Sequence, residues 1–511
     1  MGSVGFKLRE ARLVDRPNCR RSIRGIRSIR SIRSIRSFRY IKYVGALLFA
    51  VMAMVPAQAA VDAIAGVDEQ ADKIIGLADA IWGFAEVGYQ ETQSSAALQE
   101  HLSNNGFTIE TGVAGIPTAF VATAGKGKPE IAILAEFDAL PGLSQAASAE
   151  RSPVTQGAAG HACGHHMFGA ASTGAGVALA RWLADNNRTG TIRVIGTPAE
   201  EGGSGKVYLA RAGVFANTDT VLHWHPGDSN NASASSSNSN KSGRFRFYGR
   251  AAHAASAPDK GRSALDGVES MNYMVNLMRE HVPDDARIHY VITNGGEAPN
   301  IVPEFAEVYY YVRHPQAARV VTLFERVVRA AEGAAAGTGT KMDYEVMHGN
   351  YPLLPNETLG RMVHKKMQQV GGFNYSAEEL TFASSIRETL IKPDLSIGSQ
   401  RKVQAFAIGH SMGSTDVGDV SWLVPTVGFS TATWVPGTPA HSWQAVAAGG
   451  MSIGHKGTLM AAKVLASAGQ ELFTNKGLID DARVELKRRQ GDDFKYSALL
   501  GDREPPLDYR N

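Results

Sequence analysis

From Val61 onward the chain alternates segments of helical and of strand periodicity, and few folds are open to a sequence patterned that way. Ala71 to Phe84 carries helical spacing, and Ser94 to Asn104 repeats it ahead of a glycine. Glu130 to Ala135 (EIAILA) and Thr191 to Gly196 (TIRVIG) are short apolar runs of the kind that buried strands show. Between them, Thr173 to Leu183 is helical and rich in Ala and Leu. Strands interleaved with helices predict an α/β domain built on a mixed, largely parallel sheet.

The alternation is interrupted once. Asp228 to Gly243 (DSNNASASSSNSNKSG) is a Ser/Asn tract and reads as a linker or exposed loop. After it come strand patterns at Arg244 to Tyr248, Ile288 to Thr293, Ala306 to Arg313 and Lys341 to Met347, and helical ones at Ser263 to Glu280 and Ala317 to Ala335. That β-α-β-β-α-β order predicts four strands with two helices on one face, a ferredoxin-like α+β insertion. The α/β pattern resumes near Glu357. The expected organisation is one discontinuous domain, residues 60–240 and 353–480, with an inserted domain at 241–352 and an extension at 481–511.

Composition matters chiefly at the start of the chain. The formal charge of +3 is misleading, because residues 1–59 hold 13 Lys or Arg and two acids. A tandem Ser-Ile-Arg tract, an apolar run from Tyr43 to Pro56 and Ala57-Gln58-Ala59 give the layout of a secretory signal peptide. The run is shorter than the ~20 residues of a membrane span. The expectation is therefore an exported protein, periplasmic or secreted, cleaved near Ala59, with no stable membrane insertion afterwards. Without the leader, 39 bases face 47 acids, about −8, and no nucleic-acid partner is expected. Cys19 leaves with the leader, so Cys163 remains as the one thiol and has no partner for an internal disulfide.

Four polar clusters lie near predicted strand ends: Gly160 to His166 (GHACGHH), Pro198 to Gly203 (PAEEGG), His223-Trp224-His225-Pro226, and Ala440-His441-Ser442. Thiol, imidazole and carboxylate together are the ligand set of a borderline divalent metal such as zinc or manganese. Cys163 and His165 are two apart, so both can face one side of a turn. Glu200 and Glu201 follow a strand and point differently, which lets one carboxylate bind metal while the other faces water as a general base.

The strings GHACGHHMFGAA, TPAEEGGSGK, WHP, GRAAHAASAP, APNIVPE, GSTDVGDVSW and PAHSW resemble the di-metal amidohydrolases, the family of aminoacylases, auxin-conjugate hydrolases and carboxypeptidase G-type enzymes. The likeness runs over about residues 65–480 and is greatest to the aminobenzoyl-glutamate branch. It implies hydrolysis of the amide in an N-acyl or N-aroyl amino acid, with glutamate suggested, and two divalent ions, Mn or Zn. It also implies a homodimer, a second hydrolase subunit as a further partner, and a dimerisation or lid role for the insertion. Carried over by position, Cys163, His165, Glu201, His225 and His441 are the metal ligands and Glu200 the general base. His225 is preferred to His223 because the spacing from Asp219 fits and Pro226 follows directly. His253 would reach a partner's site to stabilise the oxyanion, and Asn300 and Arg313 would hold the substrate carbonyl and carboxylate. His166 and Phe168 stand where the common pattern has Asp and His. Asp138, in AEFDALPG, is expected behind the ligands rather than among them.

Three other readings compete. Gly409-His410-Ser411-Met412-Gly413 fits the G-x-S-x-G elbow of serine hydrolases, with Asp416 or Asp419 and then His441 in triad order. Too little chain separates Ser411 from His441 for the strand-helix units that such a triad needs. The stretch ending at Lys206 mimics a phosphate loop, but Val207 follows where Ser or Thr belongs. A non-catalytic exported binding protein on the same fold is the third, and a Glu200 retained beside a full ligand set argues against it.

Overall fold

A computed structural model describes residues 62–510. The expected leader and the expected cleavage near Ala59 lie outside the described residues. The first elements are helices α1 (Ala63–Asp68), α2 (Ala71–Phe84) and α3 (Thr92–Asn104), then strands β1 (Thr108–Thr111), β2 (Phe120–Lys126) and β3 (Glu130–Ala135). Helix α2 matches the predicted span because Ile74, Ala78 and Ile81 recur on one face and are all buried. Helix α4 (His165–Asp185), strand β4 (Gly190–Gly196), helix α5 (Gly205–Arg211) and strand β5 (Thr220–Leu222) complete the first half. Helix α4 starts eight residues before the predicted Thr173. Every residue from His165 to Leu179 is buried, so its first two turns carry no amphipathic period to read.

These strands form one six-stranded sheet in the order β1-β2-β4-β3-β5, closed by Thr426–Val427. The four from β4 to the closing strand run parallel, and β1 and β2 are antiparallel additions at one edge. This is the mixed, largely parallel sheet that the alternation predicts.

The Ser/Asn tract is not a linker. Strands β6 (His225–Gly227) and β7 (Ala234–Ser236) lie within or beside it, and its last residues begin strand β8 (Ser239–Tyr248). Ser239, Asn240 and Ser242 are buried. The Ser239 hydroxyl donates to the Asn350 carbonyl (2.7 Å), and the Asn238 and Asn230 amides donate to the Met412 and Gln400 carbonyls. Small polar side chains can be buried when each finds a partner, and composition alone does not reveal partners so far along the chain.

Helix α6 (Ala264–Met278), strands β9 (Arg287–Asn294) and β10 (Phe305–His314), helix α7 (Ala317–Thr338) and strand β11 (Lys341–Asn350) follow. With β8 they give an antiparallel sheet ordered β11-β8-β10-β9, the ferredoxin-like arrangement expected. It has its own apolar cluster, in which Phe245, Phe247, Val268, Tyr310 and Val327 are fully buried.

Helices α8 (Glu357–Val370) and α9 (Ala377–Glu388), strand β12 (Ile408–His410), helix α10 (Val417–Ser421), strands β13 (Thr426–Val427) and β14 (Ser430–Ala432), and helices α11 (Trp443–Gly449), α12 (Ser452–Thr474) and α13 (Lys476–Gln490) make the rest. Strand β13 is the closing strand of the large sheet, while β14 pairs in parallel with β6 and β12 with β7. Beyond α13, residues 491–510 run without helix or strand. No described helix is long and apolar enough to cross a membrane.

Candidate active site

The ligand candidates gather at the carboxyl ends of β3, β4 and β5, where parallel sheets of this kind present their crevice. Glu136 and Asp138 directly follow β3, Glu200 and Glu201 leave β4, His225 follows β5, and His165 is the first residue of α4. Two of the chain's left-handed non-glycine residues lie here. Ala199 (φ 56°) and His441 (φ 58°) both hold left-handed conformations that non-glycine residues rarely adopt. Ala199 is held by its N–H bond to the buried Glu91 carboxylate (2.9 Å), and His441 by its N–H bond to the Ala162 carbonyl (3.0 Å). Gly164 (φ 78°) separates two ligand candidates, and a Cβ there would meet the Pro226 ring at 2.6 Å. Only glycine lets Cys163 and His165 turn inward against His225.

The resulting geometry is compact. Cys163 Sγ lies 3.4 Å from His225 Nε2, and His441 Nε2 lies 3.1 Å from Glu201 Oε1. Three triads each have their donor atoms within 4.8 Å of one another: Cys163, His165 and His225; Cys163, Glu201 and His441; His165, Glu200 and Glu201. His225 Nδ1 is 2.7 Å from the Pro226 carbonyl, which fixes that nitrogen as the donor and leaves the Nε2 lone pair available to a metal ion. Asp138 stands behind the ligands, as expected. One carboxylate oxygen is 2.8 Å from His165 Nδ1 and the other accepts the Glu201 N–H at 2.9 Å, so a single buried side chain orients two ligand candidates.

Electrostatics give each group a direction. Burial, reinforced by Glu136 and Glu201, pushes the Glu200 carboxyl well up. Burial acts most strongly, to raise Glu201, but the hydrogen bond from His441 and the charges of His165 and His441 together outweigh it and hold the carboxyl low. Burial and the nearby Glu201 raise the Cys163 thiol, and burial lowers His225 to about 4. Burial acts to raise Asp138 too, yet His165 beside it holds it down at about 2.

Beneath this layer lies a group that the sequence motifs do not announce. Lys206, buried completely, sits 2.8 Å from Glu136 and 2.7 Å from Asp416, and Glu136 in turn lies 3.1 Å from His165 Nε2. In the sequence Lys206 is legible only as the end of an imperfect phosphate loop, and nothing local to it signals an ion pair 210 residues away. Five carboxyl groups, Glu136, Asp138, Glu200, Glu201 and Asp416, surround this one buried lysine and the imidazoles above it. A divalent cation fits a thiol, imidazoles and carboxylates gathered this closely.

The crevice above is a cavity of about 370 Å³, walled by Glu200, Glu201, His441, Tyr311, Arg313 and Arg510 among others. Arg313 is thus at the site, as expected. His253 and Asn300 are not brought to it within one chain. Both are exposed, next to each other across the His253–Ile301 bridge, and the His253 ring accepts the Ala255 and Ser256 N–H groups. His223 is buried away from the ligand triads, against Gly428, and burial lowers it to about 3. Phe168 packs its ring edge-to-face near His165 and His225, an apolar brace where the common pattern has a histidine.

The serine-hydrolase constellation is dispersed. Ser411 is exposed, its hydroxyl accepts the Gly413 N–H, and β12 leads into a turn rather than a helix. Asp416 is engaged by Lys206, Asp419 by Tyr496 and the Tyr351 N–H, and His441 by Glu201.

Residues 132–390 match the model of the peptidase family M20/M25/M40. The chain is 39% identical to a p-aminobenzoyl-glutamate hydrolase subunit of Escherichia coli (strain K12), covering 80% of this chain and 91% of that protein. It is 30% identical to the Xaa-Arg dipeptidase of Mus musculus, covering 82% and 90%. The fold is shared with an aminobenzoyl-glutamate utilization protein from Klebsiella pneumoniae, at a TM-score of 0.57 and 17% identity, over 80% of this chain and 98% of that one. A buried thiol, imidazoles and carboxylates converge at the carboxyl end of a mixed sheet, in the order the sequence strings predict, and the chain is a metal-dependent amidohydrolase belonging to peptidase family M20/M25/M40.

Proposed function

We propose that this enzyme hydrolyses the amide of an N-acyl or N-aroyl amino acid resembling p-aminobenzoyl-glutamate. The observation that carries the reading is the convergence of Cys163, His165, Glu201, His225 and His441 donor atoms beside Glu200, with Glu200, Glu201 and His441 lining the cavity above. In this reading those five residues hold two divalent ions, manganese or zinc. Bound there, the ions supply a Lewis acid for the carbonyl and lower the pKa of water. Glu200 takes the proton from the attacking water and returns it to the leaving nitrogen as the C–N bond breaks, giving the acid and the free amino acid. Arg313 holds the substrate's carboxylate through its guanidinium fork.

The proposed assembly is a homodimer, in which His253 and Asn300 enter the partner's site. Exposed apolar side chains favour it: Tyr290, Val291 and Ile292 on the unpaired edge strand β9, with Tyr273 and Leu277 on the neighbouring α6. The four-stranded unit would then serve as the dimerisation and lid domain. A second hydrolase subunit, as the names of relatives imply, and export with cleavage near Ala59 belong to the same proposal.

A panel of N-acyl and N-aroyl amino acids, assayed with manganese and with zinc, tests the reaction. Turnover abolished by a chelator and restored by one of the ions is expected. Metal-loaded enzyme that binds these compounds without cleaving any of them would sink the reading. Ser411→Ala should keep turnover within about twofold of the parent, since the hydroxyl contacts only its own turn. Abolished activity in that variant would restore the serine mechanism. Mixing inactive Glu200→Gln with inactive His253→Ala should recover activity as subunits exchange, because each mixed dimer contains one intact site. No recovery, with exchange verified, argues that His253 does not act across an interface.

A further inference from the structure

The cavity over the ligand cluster holds one cation more than an ordinary N-acyl amino acid requires. Such a substrate brings one obligatory carboxylate, on the carbon next to the scissile nitrogen. Arg313, from β10, is available to it. Arg510, from the stretch after α13, lines the same cavity. Among the described residues neither guanidinium has a carboxylate within ion-pair distance, and each keeps an Nε–H without an acceptor. The other arginines of this region show the contrast: Arg244, Arg246 and Arg503 each pair with Glu307 or Glu345 at 2.9 Å or less. Asp138 and Glu201 act on Arg510 from beyond ion-pair distance, so both guanidinium groups keep free donors at the cavity, and a wall with two of them is suited to a ligand that brings two negative charges.

Arg510 is also held in place. Its guanidinium donates to the Glu201 carbonyl, and the Tyr509 hydroxyl donates to the same oxygen at 3.1 Å. The Arg510 guanidinium lies over the Tyr509 ring, 4.9 Å from its centroid. Upstream, the Gln90 amide donates to the Leu507 carbonyl (2.7 Å), and Arg211 donates to the Gly501 and Arg503 carbonyls. Arg503 reaches β11, bonding the Met347 carbonyl (3.0 Å) and the Glu345 carboxylate. The segment is therefore anchored to the loop before α3, to α5 and to β11, and delivers Arg510 beside Glu201. Tyr311, two residues before Arg313 on β10, lines the same cavity, and the Arg313 guanidinium lies over its ring, 5.4 Å from the centroid. The cavity's ~370 Å³ is enough for an amino acid with a short charged side chain.

We infer that Arg510 is a substrate-binding residue and that, with Arg313, it forms a two-guanidinium clamp selecting amino acids with a second, side-chain carboxylate. This rests on the hydrolase reading above and assigns its amino-acid half to the dicarboxylic class, glutamate or aspartate. It also places a specificity determinant outside residues 132–390, the part that matches the family model.

The test compares p-aminobenzoyl-glutamate with p-aminobenzoyl-glutamine, which has the same shape without the second charge, on the manganese-loaded full chain. A charge-assisted hydrogen-bond pair lost from a partly buried site changes affinity by about 10- to 100-fold. Arg510→Gln is expected to reduce the glutamate-to-glutamine ratio of kcat/KM by that factor, chiefly through KM, and Arg510→Lys to recover part of it. Equal losses on both substrates would show a merely structural role and overturn the clamp. Binding of free glutamate and free glutamine, measured by calorimetry, needs no turnover and separates the two claims. Loss of the glutamate preference in Arg510→Gln supports the clamp even if no amide is cleaved. An unchanged preference in a variant that still turns over rejects the clamp and leaves the hydrolase standing.

Discussion

Glu200→Gln is expected to lower kcat by about 10²–10⁴-fold while metal content and KM stay close to those of the parent. The amide matches the carboxylate in shape and keeps the backbone turn after Ala199, but it cannot take a proton. The position is built for a base: burial and the neighbouring Glu136 and Glu201 push its proton affinity up, and the buried Lys206 partly offsets them. Steady-state assay of aroyl-amino-acid cleavage gives the rate, and elemental mass spectrometry gives the metal. Retained metal with turnover within threefold of the parent would falsify the role of Glu200. Lost metal would instead move Glu200 into the ligand set.

Cys163→Ser should have an effect of similar size by a different route. A serine hydroxyl stays protonated near neutral pH, whereas a metal-bound thiol gives up its proton. Cys163 belongs to two of the three donor triads, so its replacement touches the ligand arrangement as a whole. Expected are a lower metal stoichiometry and turnover reduced by at least about 100-fold, with partial rescue in excess metal. Because a ligand that binds only the folded state raises Tm, the parent should melt higher with manganese or zinc than with chelator, and the variant should lose most of that difference. A variant that kept its metal and its metal-dependent Tm would mean that Cys163 is only a small apolar side chain in the core.

Particular residues show what is readable in a sequence of this kind. Helix α2 and strand β3 are legible to the residue, because their burial follows one face or a continuous run. The first turns of α4 are not, since burial on all sides erases periodicity. Strands of two or three residues, such as β5, β13 and β14, are too short to carry any pattern. The ligands are legible because their residue types and spacings sit in compact strings. The buried Lys206–Asp416 pair and Arg510 are not, because their meaning depends on partners far along the chain. The Ser/Asn tract misleads for the same reason: its buried amides are satisfied by carbonyls at Gln400 and Met412.

The distance along the chain between partners also sets an order of assembly. Cys163, His165 and His225 are synthesised long before His441, whose N–H closes onto the Ala162 carbonyl, and before Asp416, which neutralises Lys206. Contacts of such sequence separation form late in folding. All the other candidate donors, Glu201 included, therefore precede His441 in the chain, and its imidazole joins a group that is otherwise already synthesised. If that group holds metal as proposed, metal identity in the finished enzyme would depend on when the ion is acquired as well as on affinity.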